Sequence, residues 1–201
     1  MSSQGNVIDP GMGYVNGTWV LRLRGIPLRD RGALIAALKR RDVTSGAAAY
    51  ALGWLPKDAV TVAELNRAVF ADDEHLMLSA IGSLEQFGNR QWVSAAKLRL
   101  RRIKDQHMRL ALAEHLAQAC VFDGWDLVEK AIMSDKPPTQ RVYFQWTTTI
   151  YAFQNMDGII VRLEHMKSVS TSENFKAGMA KTIEALAALP SGRNPCTPPG
   201  Q

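Results

Sequence analysis

Between residues 28 and 133 the apolar side chains return at steps of three and four, and each run is stopped after a few turns by a cap, a glycine or a proline. A chain patterned this way has to bury a series of short amphipathic helices against one another. Asp30 is placed to cap a helix over 31–41 whose buried stripe is Leu34, Ile35 and Leu38. Thr44-Ser45 introduces a second helix over 46–52, closed by Gly53. Thr61 and Glu64 have capping-box spacing and set the start of a helix over 62–70. Asp72, Asp73 and Glu74 suit the positive end of the next helix, whose stripe is Leu76, Ala80, Leu84 and Phe87 before Gly88-Asn89 stops it. The longest run starts at Asn89 or Arg90. Trp92, Ala96, Leu100, Ile103, His107 and Leu110 share one helix face there, with Lys104-Asp105 as a bend or break before 108–121. Asp123 caps a helix over 125–133, and Pro137-Pro138 ends that region. After a polar linker, 168–172, a helix over 174–189 carries Phe175, Met179, Ile183 and Leu186.

Two segments read with a period of two instead. An Asn-Gly pair at 16–17 has the chemistry of a hairpin turn, and Thr18 to Arg24 alternates as a short strand with Trp19, Leu21 and Leu23 on one face. Val142, Phe144, Trp146, Thr148, Ile150 and Ala152 alternate with Tyr143, Gln145, Thr147, Thr149 and Tyr151. With a turn at 155–158 and a second run over 159–166, they predict a β-hairpin. The expected fold class is therefore mainly α: a compact multi-helix domain with a short N-terminal strand and a C-terminal β-hairpin. Residues 1–13 are a flexible N-terminus, 14–190 the domain with a candidate sub-boundary at 134–140, and 191–201 a disordered tail. No internal repeat emerges at the usual solenoid periods.

Hydrophobic residues at 46% and charged residues at 21% exclude a wholly disordered chain. No apolar run is long enough to span a bilayer, and the first residues lack the pattern of a secretory signal, so a cytoplasmic or intracellular protein without a membrane partner is expected. The two cysteines, Cys120 in an apolar helix and Cys196 in a Pro-rich tail, are expected as free thiols on that ground, with a bond between them as the alternative.

Charge is the informative property. The net +5 comes from 24 basic and 19 acidic residues, but it is not spread evenly. Arg22, Arg24, Arg29, Arg31, Lys39, Arg40 and Arg41 oppose only Asp30 over 22–41. Lys97, Arg99, Arg101, Arg102, Lys104 and Arg109 oppose only Asp105 over 97–109. The intervening residues 42–96 carry −4. Arginine dominates both blocks, and its planar fork suits phosphate. Within the second block Lys97, Arg101 and Lys104 fall on one helix face, and Arg99, Arg102 and Arg109 spread round another.

Other chemistry finds little support. His75, His107, His115 and His165 have no helical metal-ligand spacing, and no paired-cysteine motif occurs, so no metal or cofactor is expected. His107 reads as a buried core residue and His75 as an exposed first-turn residue. No nucleophile elbow, phosphate loop or dinucleotide fingerprint is present. Asp123, Asp126 and Glu129 share a helix face and read as partners of a helix dipole, with acid–base catalysis as the enzymatic alternative. Ser45 to Trp54 resembles the first helix and turn of a helix-turn-helix, with Asn66 and Arg67 as base readers on the helix that follows. Tyr143, Tyr151 and Phe153 are candidates to stack on bases.

The functional expectation is a non-enzymatic nucleic-acid-binding protein, a DNA- or RNA-binding regulator or accessory factor, holding phosphates through the two arginine-rich blocks and working as a homo-oligomer. The alternative is an assembly protein, such as a viral coat or nucleocapsid subunit in a virion, that self-associates through the hairpin while its arginines neutralise nucleic acid.

Overall fold

The computed structural model describes residues 17–134, 140–189 and Cys196. Among these there are eleven helices and no strand. They are α1 (Gly17–Leu23), α2 (Arg31–Lys39), α3 (Ser45–Gly53), α4 (Ala59–Ala68), α5 (Glu74–Gln86), α6 (Val93–Leu100), α7 (Gln106–Gln118), α8 (Trp125–Ser134), α9 (Gln140–Ala152), α10 (Ile159–Val169) and α11 (Glu173–Ala187). They form two compact units, one up to Leu112 and one from Ala113, so the change of unit falls inside α7. Most of the anticipated sub-boundary, 135–139, lies outside the described residues, as do the Asn-Gly pair's Asn16 and the tail except Cys196. No helix among the described residues is long and apolar enough to cross a membrane.

In the first unit α3 is central and packs on α1, α2 and α5. Seven of its nine residues are buried, and most are Ala, Gly or Ser, so its backbone can be approached from several sides. Its closest neighbour is α5. A Cβ on Gly46 would lie 3.5 Å from Ser79 Oγ, and one on Gly53 only 2.6 Å from Ser83 Oγ and 2.9 Å from Gln86 Oε1. Ser83 Oγ donates to the Ala49 carbonyl at 2.8 Å. Residue numbers rise together along this seam, so α3 and α5 run parallel. Gly53 is therefore part of the helix and serves close packing; it does not end the helix as its position suggested.

Parallel α3 and α5, with α2 and α4 in contact beside them, make two stacked helix pairs. The repeat is visible in the buried positions. Leu34, Ala37 and Leu38 recur at one constant offset as Leu65, Ala68 and Val69, and all six are buried. Asp42 accepts from the Thr44 amide at 2.8 Å, and Asp73, displaced from it by the same offset, accepts from the His75 amide at 2.9 Å. Asp105 follows Asp73 at nearly the same interval and accepts from the Met108 amide at the start of α7. The fold repeats although the residues outside these few positions do not.

Several expectations are corrected. Thr18 to Leu23 is helical: Leu21 is buried and Leu23 is exposed, whereas a strand would put both on one face. Gly25, at φ +66°, closes α1, with the Ile26 amide bonded back to the Leu21 carbonyl and Ile26 itself buried. Asp58, not Thr61, caps α4, accepting from the Val60 and Thr61 amides at 3.0 Å. Thr61 is buried in the first turn, and Glu64 turns away from the cap towards Lys39 and Arg67. The long run from Asn89 breaks at 101–105, so Trp92, Ala96, Leu100 and Ile103 are buried but His107 is exposed at the start of α7. The expected cap at Asp30 is present, and of the acidic residues expected at the start of α5 it is Asp73 that caps it.

In the second unit the expected hairpin is the pair α9 and α10. Trp146, Thr149, Ile150 and Phe153 are buried, a helical spacing, while Thr148, which alternation would bury with Trp146 and Ile150, is exposed. Ile159, Leu163 and Met166 are buried and Val161 is exposed, again a helical stripe. The β-branched residues of both segments favour strands only weakly when a helical face can reach a core. That core exists: Phe153 stacks edge-on against Trp125 at 5.3 Å, and Trp146 meets Phe175 at 6.3 Å. Phe153 is thus core and not a base platform. α11 buries Phe175, Met179, Ile183 and Leu186 as its pattern requires, and Ser172 caps it.

The cysteines are not free: Cys120 and Cys196 form a disulfide. The expectation of free thiols is corrected, since the fold brings the two Cα atoms to 5.3 Å, within the span of a disulfide. Cys120 closes α7 at φ +63°, with its own amide bonded to the Ala117 carbonyl and that of Val121 to Leu116. This is the bonding that Gly88 provides after α5.

Two outcomes follow from this packing. Gly53→Ala forces Ser83 aside and lowers unfolding free energy by about 1–3 kcal/mol, as overpacking does. Gly46→Ala meets only ordinary contacts and changes it by less than about 1 kcal/mol. Denaturant titration of both variants measures the difference, and equal losses would refute the close seam. Cys196→Ser lowers stability by about 2–4 kcal/mol relative to the oxidised protein. Thermal unfolding with and without reductant checks it, because reductant should abolish the difference between variant and parent.

Candidate nucleic-acid interface

The cations of the two blocks divide into those the fold uses and those it leaves in solvent. Arg31 is used: its Nε meets Asp58 at 3.0 Å and an Nη donates to the Pro56 carbonyl at 2.6 Å, tying the start of α2 to the α3–α4 connection. Lys39 is used, meeting Glu64 at 2.8 Å beside Arg67 at 2.6 Å. Arg99 is used: it donates to the Ala71 carbonyl at 2.9 Å and lies 3.7 Å from the Asp72 carboxylate. By contrast Arg22, Arg29, Arg40, Arg41, Arg101, Arg102 and Lys104 are exposed and form no ion pair with a described residue. Arg109 is half-buried on α7.

A chain of contacts brings parts of the two blocks to one edge of the first unit. Arg40 and Arg24 both act on the Asp42 carboxylate. Further along the chain, Gly46 packs against the His75 carbonyl. Arg99 reaches across to the neighbouring Ala71 and Asp72, and Asp105 lies within electrostatic range of His75. The connections α2–α3, α4–α5 and α6–α7 are therefore neighbours. They carry Arg40 and Arg41, then Phe70 to Asp73, then Arg101, Arg102 and Lys104. Arg29 and Arg31 are not part of this edge. They lie at the opposite end of α2, about 13 Å away at 1.5 Å per residue. The second block is a helix end and a connection, so its charges do not divide into the helix faces that periodicity implied.

The edge also holds carboxylates, and their surroundings decide what they present to solvent. Asp42 is held below its ordinary range by the Thr44 hydroxyl and amide. Asp105 is held below it by the Met108 and His107 amides. Asp73 caps α5. Each is directed at a helix start, whose positive end offsets part of its charge, while the guanidinium groups face water. Elsewhere Glu64 is lowered chiefly by the hydrogen bond from Lys39, and Asp58 by that from the Thr61 hydroxyl.

Arg41 stands out further because its φ is +53°, a left-handed conformation that costs a side-chain-bearing residue about 1–2 kcal/mol. Glycine would fit this turn without strain. The Arg41 side chain is exposed and forms no ion pair with a described residue.

The helix-turn-helix reading fares differently. α4 packs chiefly on α5 and also on α2, whereas a recognition helix is positioned by crossing the helix before it. Both intended base readers are engaged: Asn66 donates to Gln91 at 3.2 Å and Arg67 pairs with Glu64. In the second unit Arg162 lies 3.8 Å from Asp126 and 3.4 Å from Glu129, and Trp125 Nε1 donates to Glu129 at 2.8 Å. That acidic face braces α8 against α10. His115, one of the four histidines without metal-ligand spacing, is buried, and Tyr143 lies where no side chain is described.

Because the folded-state pKa values of Asp42, Asp58, Glu64 and Asp105 are depressed, their contributions are complete above the ordinary carboxylate range and vanish as pH falls through it. The unfolding midpoint is expected to be level from neutral pH down to about 5 and to drop below about 4. A Tm series against pH checks this, and Asp58→Asn should flatten the acid limb.

No family model matches the chain, and neither a curated protein nor a solved structure is significantly similar to it.

Proposed function

We propose that the chain is a non-enzymatic nucleic-acid-binding protein that holds phosphates through the helix-pair connections of its first unit. The residues assigned are Arg24, Arg40, Arg41, Arg101, Arg102 and Lys104. The observation that carries this reading is the separation of charge. Up to Leu112 the chain has 16 basic and 10 acidic residues; from Ala113 it has 8 and 9. Exposed, unpaired arginines on one unit are what a polyanion requires, since each phosphate neutralised releases a counterion. Arg41 supports it again, because a strained turn that keeps an exposed arginine, without an ion pair to a described residue, suggests that the side chain is needed outside the fold. Arg22, Arg29, Arg31, Lys39, Lys97, Arg99 and Arg109 leave the assigned set: the fold employs Arg31, Lys39 and Arg99, Arg29 lies at the opposite end of α2, and Arg22, Lys97 and Arg109 belong to α1, α6 and α7 and not to the connections. The binding is of backbone type, without base readout, as both intended base readers, Asn66 and Arg67, are engaged within the fold. The assembly alternative drew on a β-hairpin and is not carried further, since those segments are helices.

The test is binding of random-sequence single- and double-stranded DNA and RNA across a salt series. Affinity should fall steeply with salt. Replacing Arg40, Arg41, Arg101 and Arg102 by Ala should lower the logarithmic slope by about 0.7–0.9 for each phosphate no longer neutralised. Arg41→Gly should weaken binding yet raise stability by about 0.5–1 kcal/mol, the strain relieved less the backbone entropy of glycine. Absence of binding at low salt to all four polymers would overturn the reading.

A further inference from the structure

Phe70 is 71% exposed in the α4–α5 connection, while its neighbours Val69 and Ala71 are buried. The backbone there is fixed: the Phe70 amide donates to the Arg67 carbonyl at 3.2 Å and the Ala71 amide to Ala68 at 3.0 Å. With residues on both sides anchored in the core, the ring is held out of it. One flank is the end of α2, joined to α4 by the Lys39–Glu64 pair, with Arg40 and Arg41 following. The other flank is the end of α6, joined to this connection by Arg99 on Ala71, with Arg101 and Arg102 following. Leu98, 68% exposed, precedes Arg99 on that side. A solvent-facing ring on an anchored backbone therefore occupies the connection flanked by Arg40 and Arg41 on one side and by Arg101 and Arg102 on the other, all four exposed.

We propose that Phe70 is a base-stacking platform and that the edge takes single-stranded nucleic acid, phosphates held by the flanking arginines and a base laid on the ring. This deepens the nucleic-acid reading above and rests on it. A duplex hides the faces of its bases in its own stack, so it can use the arginines but not the ring; a single strand can use both. An acidic peptide would also be drawn to the arginines, but it would need apolar area from Phe70 and not specifically an aromatic face.

The experiment compares a labelled oligothymidylate with a duplex of equal length, on the full chain and on Phe70→Ala, Phe70→Leu and Phe70→Trp. Because the ring is exposed, all three variants should keep the parent's Tm, which is measured alongside. Phe70→Ala is expected to bind the single strand about 5- to 100-fold more weakly, with the salt slope unchanged because the phosphates stay neutralised. Phe70→Trp should retain binding, and Phe70→Leu, apolar but without a π face, should not. Duplex affinity should be the same in all four proteins. Salt-dependent binding that Phe70→Ala leaves unaltered would overturn the platform while the phosphate reading stood. Equal rescue by Phe70→Leu and Phe70→Trp would also overturn it, in favour of plain apolar contact. Failure of the parent to bind either polymer would overturn the phosphate reading itself.

Discussion

The first unit depends on how closely α3 and α5 approach. Gly46, Ala49 and Gly53 on one helix face Ser79 and Ser83 on the other, and the Ser83 hydroxyl satisfies itself on a carbonyl of α3. Only small side chains allow this. Tight packing over a whole helix recovers many weak dispersion contacts and excludes water from the seam. It also sets direction. Two helices locked in parallel place their N-termini side by side, so the connections entering them must lie side by side too.

That consequence links core to surface. The arginines belong to connections far apart in the chain, and nothing about Arg40 or Arg101 alone makes them neighbours. Parallel stacking of α3 and α5 sets the connections entering them side by side, Arg99 ties the end of α6 to the second of these, and Asp42, Asp73 and Asp105 each accept from a backbone amide at or next to a helix start. The same aspartates that terminate backbone hydrogen bonding thus reduce the negative charge competing with phosphate at the edge.

Much of this was legible in the residues. The apolar stripes of α2, α5 and α11 and the caps Asp30 and Asp73 are local features with local causes, and they lie where periodicity puts them. The repeat was not read from the residues, because it survives in a few positions only: Asp42, Asp73 and Asp105 at near-equal intervals, and Leu34, Ala37 and Leu38 returning as Leu65, Ala68 and Val69. The two period-two segments misled because short runs rich in Val, Ile and Thr satisfy both templates. For 142–152 the residues Trp146 and Ile150 fit either, and only the burial of Thr149 and Phe153 and the exposure of Thr148 separate them. The candidate site was half legible. The charge blocks were visible, but the ring between them was not, because Phe70 reads as the last apolar residue of a helical stripe.

Residue order decided eight of the eleven described helices and the total charge of each block, since these follow from periodicity, capping chemistry and counting within a few turns of chain. Tertiary structure decided which charges are spent and which are free. Arg31, Lys39 and Arg99 differ from Arg40, Arg41 and Arg101 only in what packing places beside them: a carboxylate or carbonyl from a distant helix or connection for each of the first three, and solvent for the others. Such partners are long-range by nature, because a side chain's electrostatic surroundings are set by whichever helices pack against it and not by its neighbours in sequence.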